Sequence, residues 1–175
     1  MKLLVTIILF TLQITNLKAY DIKQIRADYV SAINDSEKAD QLCNHLENIK
    51  NPDPLILAYL GSAQAIKAKH AWNPVSKLSY IKKGFSTINE AVSKAPENLE
   101  VRFLRFSLSF YVPSFLGYSK NLTIDKNKII DLLSKQSLIK LDVDKTILKN
   151  MVYFMIDSKL CSTQEIAVLK RVPTA

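Results

Sequence analysis

Apolar residues recur along this chain at spacings of three and four, the period of a helix with one buried stripe. From Tyr20 to Asn34 the stripe is Ile22, Ile25, Tyr29 and Ile33. Asp35 or Ser36 then offers an N-cap for a second helix carrying Ala39, Leu42, Cys43, Leu46 and Ile49. Asn51-Pro52-Asp53-Pro54 is a joint, with Asp53 placed to cap and Pro54 suited to a first turn. Leu55 to Ala71 follows and is rich in small residues (Ala58, Gly61, Ser62, Ala65, Ala68), which let a neighbouring helix approach closely.

Trp72-Asn73-Pro74 marks the next break. Val75 to Lys94 predicts a long helix with Leu78, Ile81, Phe85, Ile88 and Val92 inward, ended by Ala95-Pro96-Glu97-Asn98. Leu99 to Val112 is apolar on nearly every side except one stripe, Asn98, Arg102, Arg105 and Ser109, and so predicts a central helix. Pro113 to Asn121 reads as a loop fastened by Phe115, Leu116 and Tyr118. Asp125 to Gln136, Asp144 to Ser158 and Thr163 to Lys170 read as three further helices. Strand-type alternation nowhere persists beyond four or five residues. The expectation is an all-α fold, an irregular bundle of helical hairpins with seven or eight helices, in one domain over residues 20–175.

The first nineteen residues break this pattern. A basic start, Met1-Lys2, leads to an apolar run from Leu3 to Ile14, a polar stretch and a small residue, Ala19. That order predicts a secretory signal peptide cleaved after Ala19, the run falling short of the roughly 20 residues a spanning helix needs. An uncleaved N-terminal anchor is the competing reading. The expectation is export, to the periplasm or beyond the cell. Cleavage would remove Lys2 and Lys18 and no acid, so a formal charge of +8 becomes +6. An exported basic chain points away from nucleic acid and towards an anionic envelope surface or an acidic partner, although scattered lysines also suit a plain solvated surface.

Composition narrows the chemistry. Three glycines are too few for a Gly-rich nucleotide loop, and two cysteines exclude a disulfide-stapled scaffold. HExxH, GxSxG, P-loop and CxxC patterns are absent from the sequence. No metal or cofactor is expected, and no catalytic residues are assigned. Arg102 and Arg105 lie one turn apart on a helix fit for burial, with Glu100 beside them. Two guanidiniums so placed can grip a carboxylate or phosphate; they can equally pair internally with Glu90, Glu97 or Asp125. Cys43 and Cys161 form a disulfide or serve as two separate buried small hydrophobes. His45 and His70 read as surface or packing residues. Asn121-Leu122-Thr123 fits a glycosylation acceptor and is read as loop with a helix cap. Phe103, Phe106, Phe110, Tyr111, Phe115 and Tyr118 could line an acyl pocket, or form core.

Two resemblances add to this. Gly84 to Asn98 (GFSTINEAVSKAPEN) resembles the second helix and closing turn of a tetratricopeptide repeat, and Leu60-Gly61 the Leu-Gly pair of its first helix. Gly61 and Gly84 are 23 residues apart, about twice the separation that repeat uses, so the likeness covers one elongated unit of about 45 residues. The whole mature chain also resembles a group of uncharacterised secreted proteins of Bacteroidetes-type bacteria, through Ala58-Tyr59-Leu60-Gly61, Asn73-Pro74, Lys77-Leu78, the segment from Glu100 to Arg105 and Pro113 to Tyr118. These resemblances imply a helical-hairpin fold and an extracytoplasmic setting. The expected function is a non-catalytic interaction or scaffold module for an unidentified protein or peptide. The alternative is a binding protein for an anionic or amphipathic small molecule, its acid held by Arg102 and Arg105.

Overall fold

The computed structural model describes residues 21–135 and 143–173. The predicted signal segment, residues 1–19, lies outside them. Among the described residues there are eight α-helices and no strand: α1 (Ile22–Ala32), α2 (Ser36–Glu47), α3 (Pro54–His70), α4 (Pro74–Lys94), α5 (Leu99–Tyr111), α6 (Ser119–Lys135), α7 (Lys145–Asp157) and α8 (Thr163–Leu169). The all-α expectation holds.

Local chemistry sets most of the boundaries. The side chains of Asp21, Asp35, Asp53, Asn73, Asn98 and Asp144 each accept a hydrogen bond from a backbone N–H in the first turn of the helix that follows. Pro54 and Pro74 occupy first-turn positions, where their missing N–H leaves no bond unmade. Ser162 and Glu165 close a reciprocal capping box at the start of α8. One boundary differs from expectation. Helix α6 begins at Ser119, six residues before Asp125, so Asn121 sits inside a helix and is buried. The expected loop shrinks to a single 3-10 turn, Ser114–Leu116, ended by Gly117 at φ 83°. Asn121 and Asp125 are one turn apart, and a helix is what carries both onto the face that meets α5.

The tightest helix pair is α3 with α4. A Cβ on Gly61 would stand 2.7 Å from the Ile88 amide nitrogen, and one on Gly84 2.6 Å from the Gly61 carbonyl oxygen. Only glycine at both positions lets the two backbones touch there. Around this contact, Ile25, Leu42, Leu46, Ile56, Tyr59, Phe85, Ile88, Val101, Leu104 and others of α1–α5 form one apolar cluster. A second cluster gathers Leu99, Phe106, Ile129, Leu132, Leu148, Met151, Met155 and Leu169 from α5–α8. Helix α5 contributes to both, which is why almost all of its faces are apolar.

The first half of α4 departs from the predicted stripe. Leu78 is exposed and Ile81 only half-buried, whereas Phe85, Ile88 and Val92 are buried as expected. The first turns of α4 meet the body through Ser76 and Tyr80, so the stripe that continues in sequence leaves Val75 and Leu78 open to water.

Candidate functional site

The charged stripe of α5 resolves into two separate buried clusters. On one side, Arg105 Nε and Nη2 donate to the two oxygens of Asp125 at 2.7 and 2.8 Å, and its Nη1 donates to Asn89 at 2.9 Å. Arg102 Nη1 donates to Asp125 Oδ1 at 2.9 Å and its Nε to the Pro96 carbonyl at 2.8 Å. Asp125 has no solvent exposure. The two guanidiniums are thus turned inward onto a carboxylate of the chain, which is the internal pairing and not the ligand grip. Each of the three guanidinium nitrogens of Arg105 thereby donates within the chain.

Glu100 lies elsewhere. It accepts from Arg26 Nε and Nη2 at 2.8 and 2.5 Å and from the Tyr59 hydroxyl at 2.6 Å. This bond to Glu100 holds the Arg26 guanidinium above its ordinary value. Burial, reinforced by the Glu100 charge, pushes the Tyr59 hydroxyl well above the usual tyrosine range. Tyr29 packs edge-on to Tyr59, centroids 5.4 Å apart, and burial pushes its hydroxyl up to about 12. The grouping of Glu100 with Arg102 and Arg105 is therefore corrected: residues two and five apart on one helix face different neighbours.

Cys43 and Cys161 are both free thiols, so the disulfide reading is corrected too. Cys43 belongs to the first apolar cluster and Cys161 packs against the second. Burial pushes the Cys43 thiol up to about 11, and that of Cys161 above its ordinary value. Neither is set up as a nucleophile. His70 Nε2 sits 3.0 Å from the Ala32 carbonyl oxygen, a packing role. Among the described residues no three His, Cys, Asp or Glu side chains stand close enough to hold a metal ion.

The aromatic stripe divides between core and surface. Phe106 is fully buried, and Tyr118 stacks on Phe85 with centroids 3.7 Å apart. Further along, Phe154 of α7 meets Phe103, Phe106, Phe110 and Tyr111 edge-to-face at 5.3–5.9 Å. Its outer members reach solvent: Tyr111 is 74% exposed, and Phe110, Tyr153 and the loop residue Phe115 are exposed as well. The expected fastening of the loop thus rests on Tyr118, while Phe115 points away.

A second feature lies at the turn between α3 and α4. Asp40, Lys67, His70, Trp72, Asn73, Ser76 and Tyr80 line an open cleft of about 350 Å³. Lys67 pairs with Asp40 at 2.7 Å and lies 5.1 Å from the centre of the Tyr80 ring, and Trp72 stands at the rim 99% exposed. Sequence periodicity gives no exposure for Trp72, because the residue falls in a joint between two stripes.

No protein-family model, curated protein or solved structure matches this chain. The two resemblances read from the sequence rest on the residues that carry them. Of the residues that build the buried clusters, Arg26 and Asn89 were not singled out from sequence, and Tyr59 was named only within a resemblance and not as a partner of Glu100. No local signal marks them: Arg26 stands near Gln24 and Asp28, Asn89 stands beside Glu90, and Tyr59 is an aromatic in an apolar run.

Proposed function

We propose that this protein is an exported, non-catalytic helical interaction module, which docks a protein partner through the aromatic surface formed by the C-terminal end of α5, the Phe115 turn and α7. The observation that supports it is Tyr111, held edge-to-face against Phe110 and Phe154 yet three-quarters exposed, with Phe115 and Tyr153 also open to water. Aromatic side chains fixed by packing lose little conformational freedom on binding, and they are enriched in interface cores for that reason. The buried Arg102–Arg105–Asp125 and Arg26–Glu100–Tyr59 clusters serve this function indirectly, by fixing α5 between α1, α3 and α6.

The test is affinity capture from the native envelope fraction with tagged wild-type protein and with a Tyr111→Asp, Phe115→Asp variant of unchanged helical content. A partner retained by the wild type and lost by the variant supports the reading. Equal retention by both sinks it.

A further inference from the structure

The α3–α4 hairpin carries a surface that partner docking through α5 and α7 leaves unused. From Pro54 to Asn89 the chain has five lysines (Lys67, Lys69, Lys77, Lys82, Lys83) and not one Asp or Glu. The neighbouring helices answer two of these charges, Asp40 with Lys67 and Glu47 with Lys83. Lys69 donates to the Ile33 carbonyl and the Asn34 side chain, both uncharged. Lys77 and Lys82 make no ion pair among the described residues. Lysines scattered in sequence thus leave a local excess of positive charge on the first half of α4.

Apolar side chains project from the same region. Trp72 is 99% and Val75 76% exposed, and Leu78 is exposed beside them. On α4, Val75, Leu78 and Lys82 follow at i, i+3 and i+7, so they share one exposed face. An indole left wholly in water at a helix joint, flanked by an aliphatic pair and unpaired lysines, matches one environment. At the boundary of an anionic bilayer, tryptophan sits at headgroup depth, short apolar side chains enter the acyl edge and lysines meet the lipid phosphates.

We propose that the tip of the α3–α4 hairpin is a peripheral membrane-docking element that seats Trp72, Val75 and Leu78 in the interface of an anionic lipid surface, with Lys77 and Lys82 on the headgroups. The occupant is a lipid surface and not an apolar protein groove, because Lys77 lies between Val75 and Leu78 in sequence, Lys82 follows one turn beyond Leu78, and no Asp or Glu occurs from Pro54 to Asn89 to oppose them. No helix among the described residues is long and apolar enough to cross a membrane, so this contact is one of lying on the surface.

Trp72 is the only tryptophan of the chain, which makes its fluorescence a reporter of this tip alone. The full chain is titrated with vesicles of phosphatidylglycerol and phosphatidylcholine, with vesicles of phosphatidylcholine only, and with soluble polyglutamate. The expected result is a saturable blue shift with the anionic vesicles, quenched when the lipids carry bromine near the headgroup end of their acyl chains. A Lys77→Gln, Lys82→Gln variant should partition roughly 30-fold more weakly, from two lysine–surface contacts. Both lysines are exposed and unpaired, so the variant keeps the fold.

An equal shift on neutral vesicles, or one that survives the lysine changes, would place the attraction elsewhere in the chain and overturn the proposal. Sedimentation with vesicles while Trp72 keeps its emission in water would overturn it too. A shift with polyglutamate and none with vesicles would replace the lipid surface by an acidic polymer. The aromatic surface around Tyr111 does not enter the readout, so failure here and failure of the partner-docking proposal are distinguishable.

Discussion

Arg105 and Asp125 meet in a two-pronged pairing, Nε to Oδ2 at 2.7 Å and Nη2 to Oδ1 at 2.8 Å, between two helices and away from water. Arg102 adds a third bond to the same carboxylate at 2.9 Å. The carboxylate is therefore the keystone, since removing it strands two guanidiniums at once.

Asp125→Ala should cost about 3–5 kcal/mol, the usual penalty for leaving buried charge uncompensated. That is a large share of a stability of roughly 5–15 kcal/mol. The paired change Arg105→Met, Asp125→Leu should lose less than Asp125→Ala alone, because it removes the most buried guanidinium along with its partner. Urea denaturation of the three proteins checks the order. A single mutant more stable than the pair would mean that the cluster contributes through packing and not charge.

The glycines give a second contrast. An alanine at Gly84 meets the Gly61 carbonyl and the Ala65 backbone inside 3.0 Å, groups that cannot swing aside. It must push α3 from α4, and overpacking of that kind costs about 1–3 kcal/mol. Gly117 has nothing within 4 Å of an added Cβ but holds φ at 83°. An alanine there meets only backbone strain, about 1–2 kcal/mol. Thermal melts of the two variants should both fall. Only Gly84→Ala should also slow assembly of the hairpin or change its near-ultraviolet spectrum, as the Phe85–Tyr118 stack shifts.

Much of this fold was legible in the sequence because its signals are local. Capping residues, first-turn prolines and three-four periodicity act within a few residues of where they are read, so seven helix starts fall close to expectation. A close approach to α3 was also readable from its small residues, although not that Gly84 of α4 makes it at Gly61. What was not legible depends on distance across the fold. Arg26 and Glu100 are 74 positions apart, and no spacing rule couples them. The start of α6 was misplaced because Asn121 has the composition of a loop, while its burial against α5 is a tertiary fact. Leu78 failed in the opposite way: the stripe places it inward, yet in the first turns of α4 it stands open to water.

The thiols offer a simple chemical check. Burial disfavours the Cys43 thiolate, pushing its titration up to about 11, and Cys161 is shifted in the same direction. Native protein at pH 8 should therefore react slowly with a disulfide reagent, Cys161 ahead of the more buried Cys43. In denaturant both should react fast, giving two thiols per chain without prior reduction. One or no reactive thiol in denaturant would show a bond or a modification that the structure lacks.

Two tyrosines, Tyr59 buried and Tyr29 half-buried, set an alkaline limit on stability. In the folded protein Tyr29 titrates at about 12 and Tyr59 higher still, against about 10 for an exposed phenol. Both folded values are raised, so the neutral forms contribute stability that is fully present below pH 10. It is lost as pH rises further, because the unfolded chain releases these protons first. Cys43 acts in the same direction from about pH 9. Denaturation midpoints should be level between pH 7 and 9 and then fall, with each fully titrating group adding about 1.4 kcal/mol per pH unit. Tyr59→Phe should flatten that decline. It should also lower stability at pH 7 by about 1.5–3 kcal/mol, since Glu100 loses the 2.6 Å hydroxyl bond and keeps only Arg26. A variant as steep as wild type above pH 10 would remove Tyr59 from the account and leave Tyr29 and Cys43 to carry the whole alkaline loss.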